Sequence, residues 1–415
     1  MPELAREIHT FTIGKSNNGI NVHRYAKRME EQSAKLFGRL NDNIPESDED
    51  DDSERVPAVI DEDICQYLKK IEGITGDLVK EVTDSYVPPL YRNRHSKAIW
   101  RLERACERVS ELRQRSRLIH WLEKRVEGET ATDALCAIPK DLNERLHRDL
   151  WSKGVPVILT SGTLSASGDF TRAKQTLGLD LLPERRLFYT SMPSPFDYEN
   201  NALIYISENT PFPDNKDKRY IAAIADEIEK LVIASHGHAA VLFTSYNVMG
   251  QVHAILTRRN LPFPLFRLER GGVQAIERFK RSGNGILLAS GALWEGIDIP
   301  GDTLSMLIIV KMPFAVPDPI GDYERSLCGS MELYKRLCVV PDALVKNKQG
   351  FGRAIRTERD TAVIAFLDCR LNERGFYRRR MLDSLPPCRV TSRISVVGNF
   401  YTEKKSPEYF LEGSL

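Results

Sequence analysis

Two arginines near residue 350 are the side chains best suited to chemistry. The run Gln349-Gly-Phe-Gly-Arg353-Ala-Ile-Arg356 places them three residues apart, which puts both on one face of a helix. A guanidinium keeps its charge near neutral pH, so the pair suits the charge of a phosphoryl group in transfer. The pattern predicts a helix over residues 350–357 after a glycine-containing turn, with Gln349 and Gly352 part of the same site. A solvated basic helix is the alternative.

Three further segments carry hydroxyl or acidic side chains directly after apolar runs. Two of them, Ile158–Leu164 and Val241–Asn247, end in hydroxyls that can bond phosphates or form ordinary turns and helix caps, with Asn247 as a possible N-cap. The third, Gly291–Asp298, is a loop that could meet a nucleotide ribose, a metal-bound water or an arginine, or could be purely structural. The candidate residues are Thr160, Ser161, Thr163, Thr244, Ser245, Glu295, Gly296 and Asp298.

From residue 155 onward, short apolar runs alternate with amphipathic stretches. This alternation predicts an α/β domain, a parallel sheet with helices on both faces, whose ligands bind beyond the carboxyl ends of the strands. The predicted strands are Val155–Thr160, Ala239–Thr244, Gly285–Ala289, Leu304–Val310 and Thr361–Leu367. The predicted helices cover 219–235, 247–259, 273–282, 319–337 and 350–357.

Residues 1–150 have a different character, helical and charged. Trp100, Ala105 or Cys106, Val109 and Leu112 follow helical spacing. A second leucine stripe over 142–150 predicts a helix that ends near Gly154. Glu46–Glu54 is an acidic tract that we interpret as a disordered loop.

Length and composition limit the number of domains and the kinds of partner and compartment that we expect. A chain of 415 residues should hold two or three domains, and its formal net charge of +1 neither supports nor excludes a polyanionic partner. Seven scattered cysteines indicate a reducing compartment rather than a disulfide framework or zinc site. Without a membrane-length apolar run or a signal-peptide profile, we expect a cytoplasmic protein with no membrane partner.

Taken in chain order, the four segments resemble motifs III to VI of superfamily 2 helicases, specifically the DinG/XPD-type branch. Thr160–Leu164 is similar to motif III, Phe243–Tyr246 to motif IV, Trp294–Asp298 to motif V and Gln349–Arg356 to motif VI. The resemblance is dense from about 155 to 390 and includes the stretch Asp302–Phe314. It is thinner over 1–150, where Met1–Ile8 resembles the segment after the family's DEAH box.

The resemblance implies the C-terminal portion of an ATP-dependent DNA helicase that translocates on single-stranded DNA. It implies a helical arch-like insertion and a remnant of the first RecA-like domain over 1–150. The last strand of the first RecA-like domain and a linker would follow over 151–180, and the second RecA-like domain over 181–415. ATP and Mg²⁺ are the implied cofactors. The chain has no Gly-x-x-x-x-Gly-Lys-[Ser/Thr] and no Asp-Glu-x-His, so we expect little activity alone and a separate polypeptide carrying Walker A and DEAH as a possible partner.

The family roles transfer to individual positions. Arg353 and Arg356 would contact the γ-phosphate, Gln349 would position their helix with Gly352 beside it, and Glu295, Gly296 and Asp298 would couple the nucleotide cleft to the DNA path. Thr244 and Ser245 would touch the DNA backbone, while Thr160, Ser161 and Thr163 would relay between cleft and DNA. The family's iron-sulfur cluster is not expected, because the region that holds its four cysteines is missing. A non-catalytic nucleic-acid-binding or regulatory protein is the alternative function.

Overall fold

The structure is a computed structural model that describes residues 22–43, 55–84, 87, 89–127, 130–165, 168–192, 194–268, 273–290, 299 and 301–404. The chain divides into two compact units: Met1–Leu142 with Pro317–Tyr323, and Asn143–Val316 with Glu324–Leu415. Of the helices in the described part of the chain, none combines the length and the apolar content that crossing a bilayer requires.

The first unit combines three long helices with a small sheet. Its elements are α1 (Val22–Asp42), β1 (Arg55–Pro57), α2 (Glu62–Asp84), α3 (Arg92–Leu112), β2 (Leu118–Glu127) and β3 (Thr130–Pro139). The strands pair antiparallel in the order β1-β2-β3. The predicted helical character is confirmed. The sheet was missed, because β2 mixes charged and apolar residues without a clear period of two.

The helices of this unit pack through apolar stripes at helical spacing. Along α2 the buried residues are Ile64, Leu68, Ile71, Ile74, Leu78 and Val82. In α3, Ala98 and Leu102 are buried and Trp100 is exposed. The stripe predicted from Trp100 is therefore wrong at that residue, although Val109 and Leu112 do pack against the core.

The second unit is built on a seven-stranded parallel sheet. Its strands are β4 (Ala202–Ile206), β5 (Ala239–Phe243), β6 (Leu265–Leu268), β7 (Ile286–Ser290), β8 (Met306–Ile309), β9 (Ala362–Phe366) and β10 (Arg389–Thr391). They pair in the order β10-β4-β9-β8-β5-β7-β6, and each neighbouring pair is parallel. The predicted RecA-like α/β fold is confirmed, with three strands (β4, β6 and β10) beyond those predicted.

The second unit also contains helices. They are α4 (Leu142–Asp149), α5 (Thr171–Leu177), α6 (Tyr198–Asn201), α7 (Lys218–Ala234), α8 (Tyr246–Arg258), α9 (Val273–Ser282), α11 (Met331–Tyr334), α12 (Val340–Ala354), α13 (Arg378–Ser384) and α14 (Ile394–Lys404), while α10 (Pro319–Leu327) belongs in part to each unit. Both sheet faces are covered: Ile204 of β4 belongs to one buried apolar cluster, and its neighbours Leu203 and Tyr205 belong to another. Burial on both faces explains why the central strands read as continuous apolar runs.

The predicted buried strand Val155–Thr160 is wrong. The segment has no regular secondary structure, and Val155, Val157, Ile158 and Leu159 are all exposed, Ile158 by 89%. A strand is stable only when neighbours accept its backbone hydrogen bonds, and no strand in the described residues pairs with this segment.

Two predicted helices have different boundaries. The helix expected over 319–337 is broken where Gly329 adopts a left-handed φ of 69° and the Ser330 hydroxyl caps α11 by accepting from Leu333 N at 3.2 Å. The helix expected over 350–357 is the end of α12, which stops at Ala354 because Ile355 is extended. Gly350 and Gly352 are therefore helical residues, and the glycine-containing turn predicted before the arginines is wrong.

Candidate nucleotide and nucleic-acid site

The carboxyl edge of the large sheet gathers several of the segments singled out above. Because β4, β9, β8 and β5 are adjacent and parallel, the residues that follow them lie along one edge. Thr244 and Ser245 follow β5, and Asp368 lies just after β9. This is the edge at which open α/β sheets bind ligands.

The segments resembling motifs III and VI meet within the second unit. Gln349 Nε2 donates a hydrogen bond to Thr163 Oγ1 at 3.4 Å. The Ser161 hydroxyl lies 3.2 Å from the same Thr163 oxygen and also accepts from Thr163 N. Three predicted site residues therefore share one small polar cluster, although Thr163 and Gln349 lie 186 positions apart in the chain. Thr160 is exposed beside it with no contact in the cluster.

A half-buried ion cluster connects α5, next to motif III, to α12. The Arg172 guanidinium donates to both carboxylate oxygens of Asp342, at 3.1 and 2.9 Å, and to Glu324 at 2.9 Å. Burial by itself would lower the pKa of Arg172, but the two carboxylates outweigh it and hold that pKa above its usual range. A bidentate pair of this kind fixes geometry as well as adding energy, so it holds α5 against the helix that carries motif VI.

A cavity of about 540 Å³ opens beside this cluster. Its charged and polar lining residues include Thr163, Arg172, Arg336, Asp342, Arg380 and Asp383. Charges of both signs face it, so the cavity belongs to the polar junction between α5, α12 and α13 and does not form a purely basic phosphate pocket.

Arg353 and Arg356 do not share a helix face as predicted. Arg353 lies in the last turn of α12, and Arg356 lies beyond the helix end. Arg356 folds back so that its Nε donates to Arg353 O at 3.1 Å, which caps the end of α12. Burial lowers the pKa of Arg356, and the Asp360 carboxylate opposes part of that effect. The two arginines remain neighbours, through a helix-end contact instead of helical spacing.

Asp360 holds the turn after Arg356, a role that sequence reasoning missed. Its carboxylate accepts from Arg356 N at 2.7 Å, from Thr357 N at 2.8 Å and from Thr357 Oγ1 at 2.9 Å. Asp is a favoured turn residue, and Asp360, six residues beyond the last residue of α12, could have located the turn that follows the helix. Arg172, in contrast, gave no signal in the sequence.

The residues resembling motif IV are less exposed to solvent. Ser245 is buried, and its hydroxyl caps α8 by accepting from Val248 N at 3.3 Å. The possible cap at Asn247 is therefore wrong, because the helix begins two residues earlier than that assignment requires. Thr244 is half-buried between β5 and this cap.

Of the remaining predicted residues, only Gly352 lies within the described part of the chain. Gly352 is exposed in α12, with open space where a side chain would stand. Glu295, Gly296 and Asp298 lie outside the described residues, as do the acidic tract and Met1–Ile8.

The site fits a phosphate better than it fits a metal. Two guanidinium groups at the end of α12 can face anionic oxygens. Among the residues with described coordinates, no group of three or more His, Cys, Asp or Glu side chains is arranged to hold a metal ion.

Comparison with known proteins finds similarity to helicases. The family model described as Helicase C-terminal domain matches residues 228–388. A protein of Bacillus subtilis named 3'-5' exonuclease DinG is 31% identical over 65% of this chain and 30% of its own length. ATP-dependent DNA helicase YoaA of Escherichia coli is 34% identical over 57% of the chain and 36% of its own length. ATP-dependent DNA helicase DinG of Photobacterium profundum is 33% identical over 65% and 39%.

Solved structures show the same fold. One described as XPD_APO covers 94% of this chain and 72% of its own, with a TM-score of 0.55 and 17% identity. Another, the S. tokodaii Xpd4 structure, covers 94% and 70% with a TM-score of 0.51 and 15% identity.

The fold is RecA-like, and residues 228–388 match the helicase C-terminal domain. The similarity to DinG and YoaA proteins confirms the recognition of a DinG/XPD-type helicase C-terminal portion made from motifs III to VI. The chain spans between 30% and 39% of the length of the three curated relatives described above.

Proposed function

We propose that this chain supplies the second RecA-like lobe of an ATP-dependent DNA helicase that moves on single-stranded DNA. The observation that carries the proposal is the contact between Gln349 and Thr163, which joins the motif VI helix to the motif III segment. Residues 181–415 would be the second RecA-like domain, 151–180 the end of the first domain, which forms no strand in this structure, with a linker, and 1–150 an arch-like insertion with a remnant of the first domain.

In this proposal Arg353 and Arg356 stabilise the charge that develops on the γ-phosphate. Gln349 orients the end of α12 through its bond to Thr163. The contact of Arg356 with Arg353 O and the Asp360 turn hold the second guanidinium beside the first. A guanidinium group carries its positive charge near pH 7.

The rest of the phosphate machinery lies outside these residues. Mg²⁺ supplies charge neutralisation at the transferred phosphate when a Walker A loop and an acidic box hold it, and the sequence has neither motif. We infer that a lobe carrying both, in a separate polypeptide or in further residues of the same protein, completes the site.

The DNA path would be lined by five residues of motifs III and IV: Thr160, Ser161, Thr163, Thr244 and Ser245. Motif V (Glu295, Gly296 and Asp298) would couple this path to the nucleotide. The proposed compartment is the cytoplasm.

ATP turnover tests this proposal. We expect the 415-residue chain with a single-stranded oligonucleotide to hydrolyse ATP at background rate, and a polypeptide carrying the Walker A and DEAH motifs to restore turnover on mixing. Arg356→Ala should lower the restored rate by at least about 10³-fold, as for other arginine fingers. Arg359→Ala, which changes an exposed arginine three residues away, is the matched control and should retain the rate.

Two results would contradict parts of the proposal. Rapid DNA-stimulated turnover by the chain alone, abolished in Arg356→Ala, would show that no further lobe is needed. DNA binding without restored turnover, in a mixture whose two polypeptides fail to associate, would favour the non-catalytic regulator.

A further inference from the structure

A continuous stack of rings and one guanidinium runs across the second unit. The Arg370 guanidinium lies 5.6 Å from the ring centroid of Phe212 and 4.8 Å from that of Phe314. The Phe314 ring lies 5.2 Å from Tyr377, whose ring meets Phe376 edge-on at 5.0 Å. We call these five residues the aromatic ladder. Spacings of this size are those of stacking and cation–π contacts.

The aromatic ladder sits at the ligand-binding edge of the sheet. Phe212 follows β4, Phe314 follows β8, and the segment from Arg370 to Tyr377 follows β9. These three strands are adjacent and parallel in the sheet, so the segments converge from one edge, where parallel α/β sheets bind their ligands.

The ladder is held in place by buried bonds. The carboxylate of Asp368, itself fully buried, accepts from Arg370 Nε at 2.8 Å and from Met312 N at 2.8 Å. This joins the β9 segment to the β8 segment. Tyr377 N then donates to Arg370 O at 3.2 Å, which turns the loop back on itself.

Gly375 makes that tight loop possible. A Cβ at this position would lie 2.2 Å from Arg370 O, so only glycine allows the chain to pass. The loop therefore presents Phe376 from a fixed position, and a fixed ring loses little entropy on binding a ligand.

The ends of the ladder face solvent. Phe376 is 83% exposed and Phe212 is 67% exposed. Folding does not explain two large rings left in water, and exposed aromatic residues on a rigid frame are typical of binding surfaces.

The surroundings carry positive charge. Residues 369–380 contain five arginines and one glutamate, and Arg374 and Arg379 are exposed beside Phe376 in the sequence. Lys311 lies near Arg370. Burial and then Arg370 lower the pKa of Lys311, while Asp368 and Asp214 act against them. Rings to stack on and arginines to face phosphates are the two components of a single-strand binding surface.

We propose that the aromatic ladder is a base-stacking platform for single-stranded DNA, with Phe212 and Phe376 as the two stacking ends and Arg374 and Arg379 facing the backbone. The inference deepens the proposed function and rests on it for the identity of the nucleic acid. The arginine-rich loop favours a polyanion over an apolar protein partner, because phosphates complement its charge. Stacking on a ring is independent of base identity, as a translocating protein requires.

Binding of a fluorescein-labelled thirty-nucleotide oligothymidine to the full chain, followed by fluorescence anisotropy, tests the platform. We expect Phe376→Ala and Phe212→Ala each to raise the dissociation constant by about 5-fold or more. Phe376→Tyr keeps the ring and should bind like the native chain, whereas Phe376→Leu keeps only apolar bulk and should bind like Phe376→Ala. Phe188→Ala removes another exposed ring, 91% accessible and outside the ladder, and should leave binding unchanged.

A tryptophan reporter gives a second, direct readout. In Phe376→Trp, stacked bases should quench the added emission on titration with the oligothymidine. In Phe188→Trp they should not. Heparin, a polyanion without bases, should quench neither variant.

The outcomes separate the two proposals. Native-like affinity in both alanine variants with no quenching in Phe376→Trp would overturn the platform and leave DNA binding by the chain intact. This result would assign the exposed rings to a protein partner. If the native chain itself bound no oligothymidine, both the platform and DNA binding by this chain would be overturned.

Discussion

At the scale of single residues, the position of Arg356 depends on one carboxylate. Asp360 accepts three hydrogen bonds from the two residues that follow Ile355. Without them, Arg356 and Thr357 would carry unpaired backbone N–H groups at the end of α12. The position of the Arg356 guanidinium, for which we propose a contact with the γ-phosphate, therefore depends on the side chain of Asp360.

We expect Asp360→Ala to lower the free energy of unfolding by about 1 to 2 kcal/mol, because bonds to a charged acceptor are lost from a half-buried turn. Asp360→Asn keeps one acceptor oxygen and should cost about half as much. Urea denaturation measures both. Turnover of the lobe-complemented protein should fall in Asp360→Ala, since the turn no longer places Arg356. Unchanged stability and turnover would mean that the turn forms without this carboxylate.

His120 makes the stability of the first unit depend on pH. The side chain is buried, and its Nε2 lies 2.8 Å from Leu112 O. Burial lowers the pKa of His120, and Lys140 adds to that, while the bond to Leu112 opposes it. The unfolded chain, with a histidine pKa of about 6.5, therefore takes up a proton first as pH falls. The stabilisation is present above about pH 6.5 and is lost below it.

We expect the free energy of unfolding to fall by on the order of 1 kcal/mol more in the native chain than in His120→Gln between pH 7.5 and 5.5. The glutamine amide can donate the same hydrogen bond and does not titrate, so it is the matched comparison. Chemical denaturation at several pH values measures the difference. Parallel pH profiles for the two proteins would show that His120 titrates alike in the folded and unfolded chain.

At the scale of elements, two glycines of the site region differ in purpose. Gly352 is helical, and a Cβ added there would meet open space. A Cβ added at Gly375 would lie 2.2 Å from a backbone oxygen. We expect Gly352→Ala to raise the free energy of unfolding by about 0.5 to 1 kcal/mol, because alanine favours the helix. Gly375→Ala should lower it by more than about 2 kcal/mol, because the loop must shift. Thermal and urea denaturation of both variants would reveal any reversal of this order.

The sequence predicted the elements whose signal is local. The central strands were found because burial on both faces makes an unbroken apolar run, as in β5 and β7. The edge strands β6 and β10 were missed, and β10 has only three residues, Arg-Val-Thr, with no such run. The internal strand β4 was missed as well, although it is a buried apolar run. Helix ends were misplaced where side-chain bonds in the following turn accompany them, as those of Asp360 do after α12. Two contacts join residues that lie far apart in the chain: the hydrogen bond from Gln349 to Thr163 and the ion pair of Arg172 with Asp342. No local sequence pattern predicts either contact.

At the scale of the whole molecule, the segment from Val155 to Leu159 stands out. It was predicted as a buried strand from its composition, yet its apolar side chains face solvent. An exposed apolar stretch with unpaired backbone groups is a ready template for a further strand. We therefore expect it to make the chain alone prone to self-association.

Replacing Ile158, the most exposed residue of this segment, by lysine tests that expectation. Ile158→Lys should reduce concentration-dependent association, measured by light scattering, and change the free energy of unfolding by less than about 0.5 kcal/mol, because the side chain packs on nothing that folding needs. Ile204→Lys is the contrasting variant: Ile204 is buried in β4, and a charge there should prevent folding. If the lobe carrying Walker A pairs with this segment, Ile158→Lys should also weaken its association. Equal scattering by Ile158→Lys and the native chain would place the self-associating surface elsewhere.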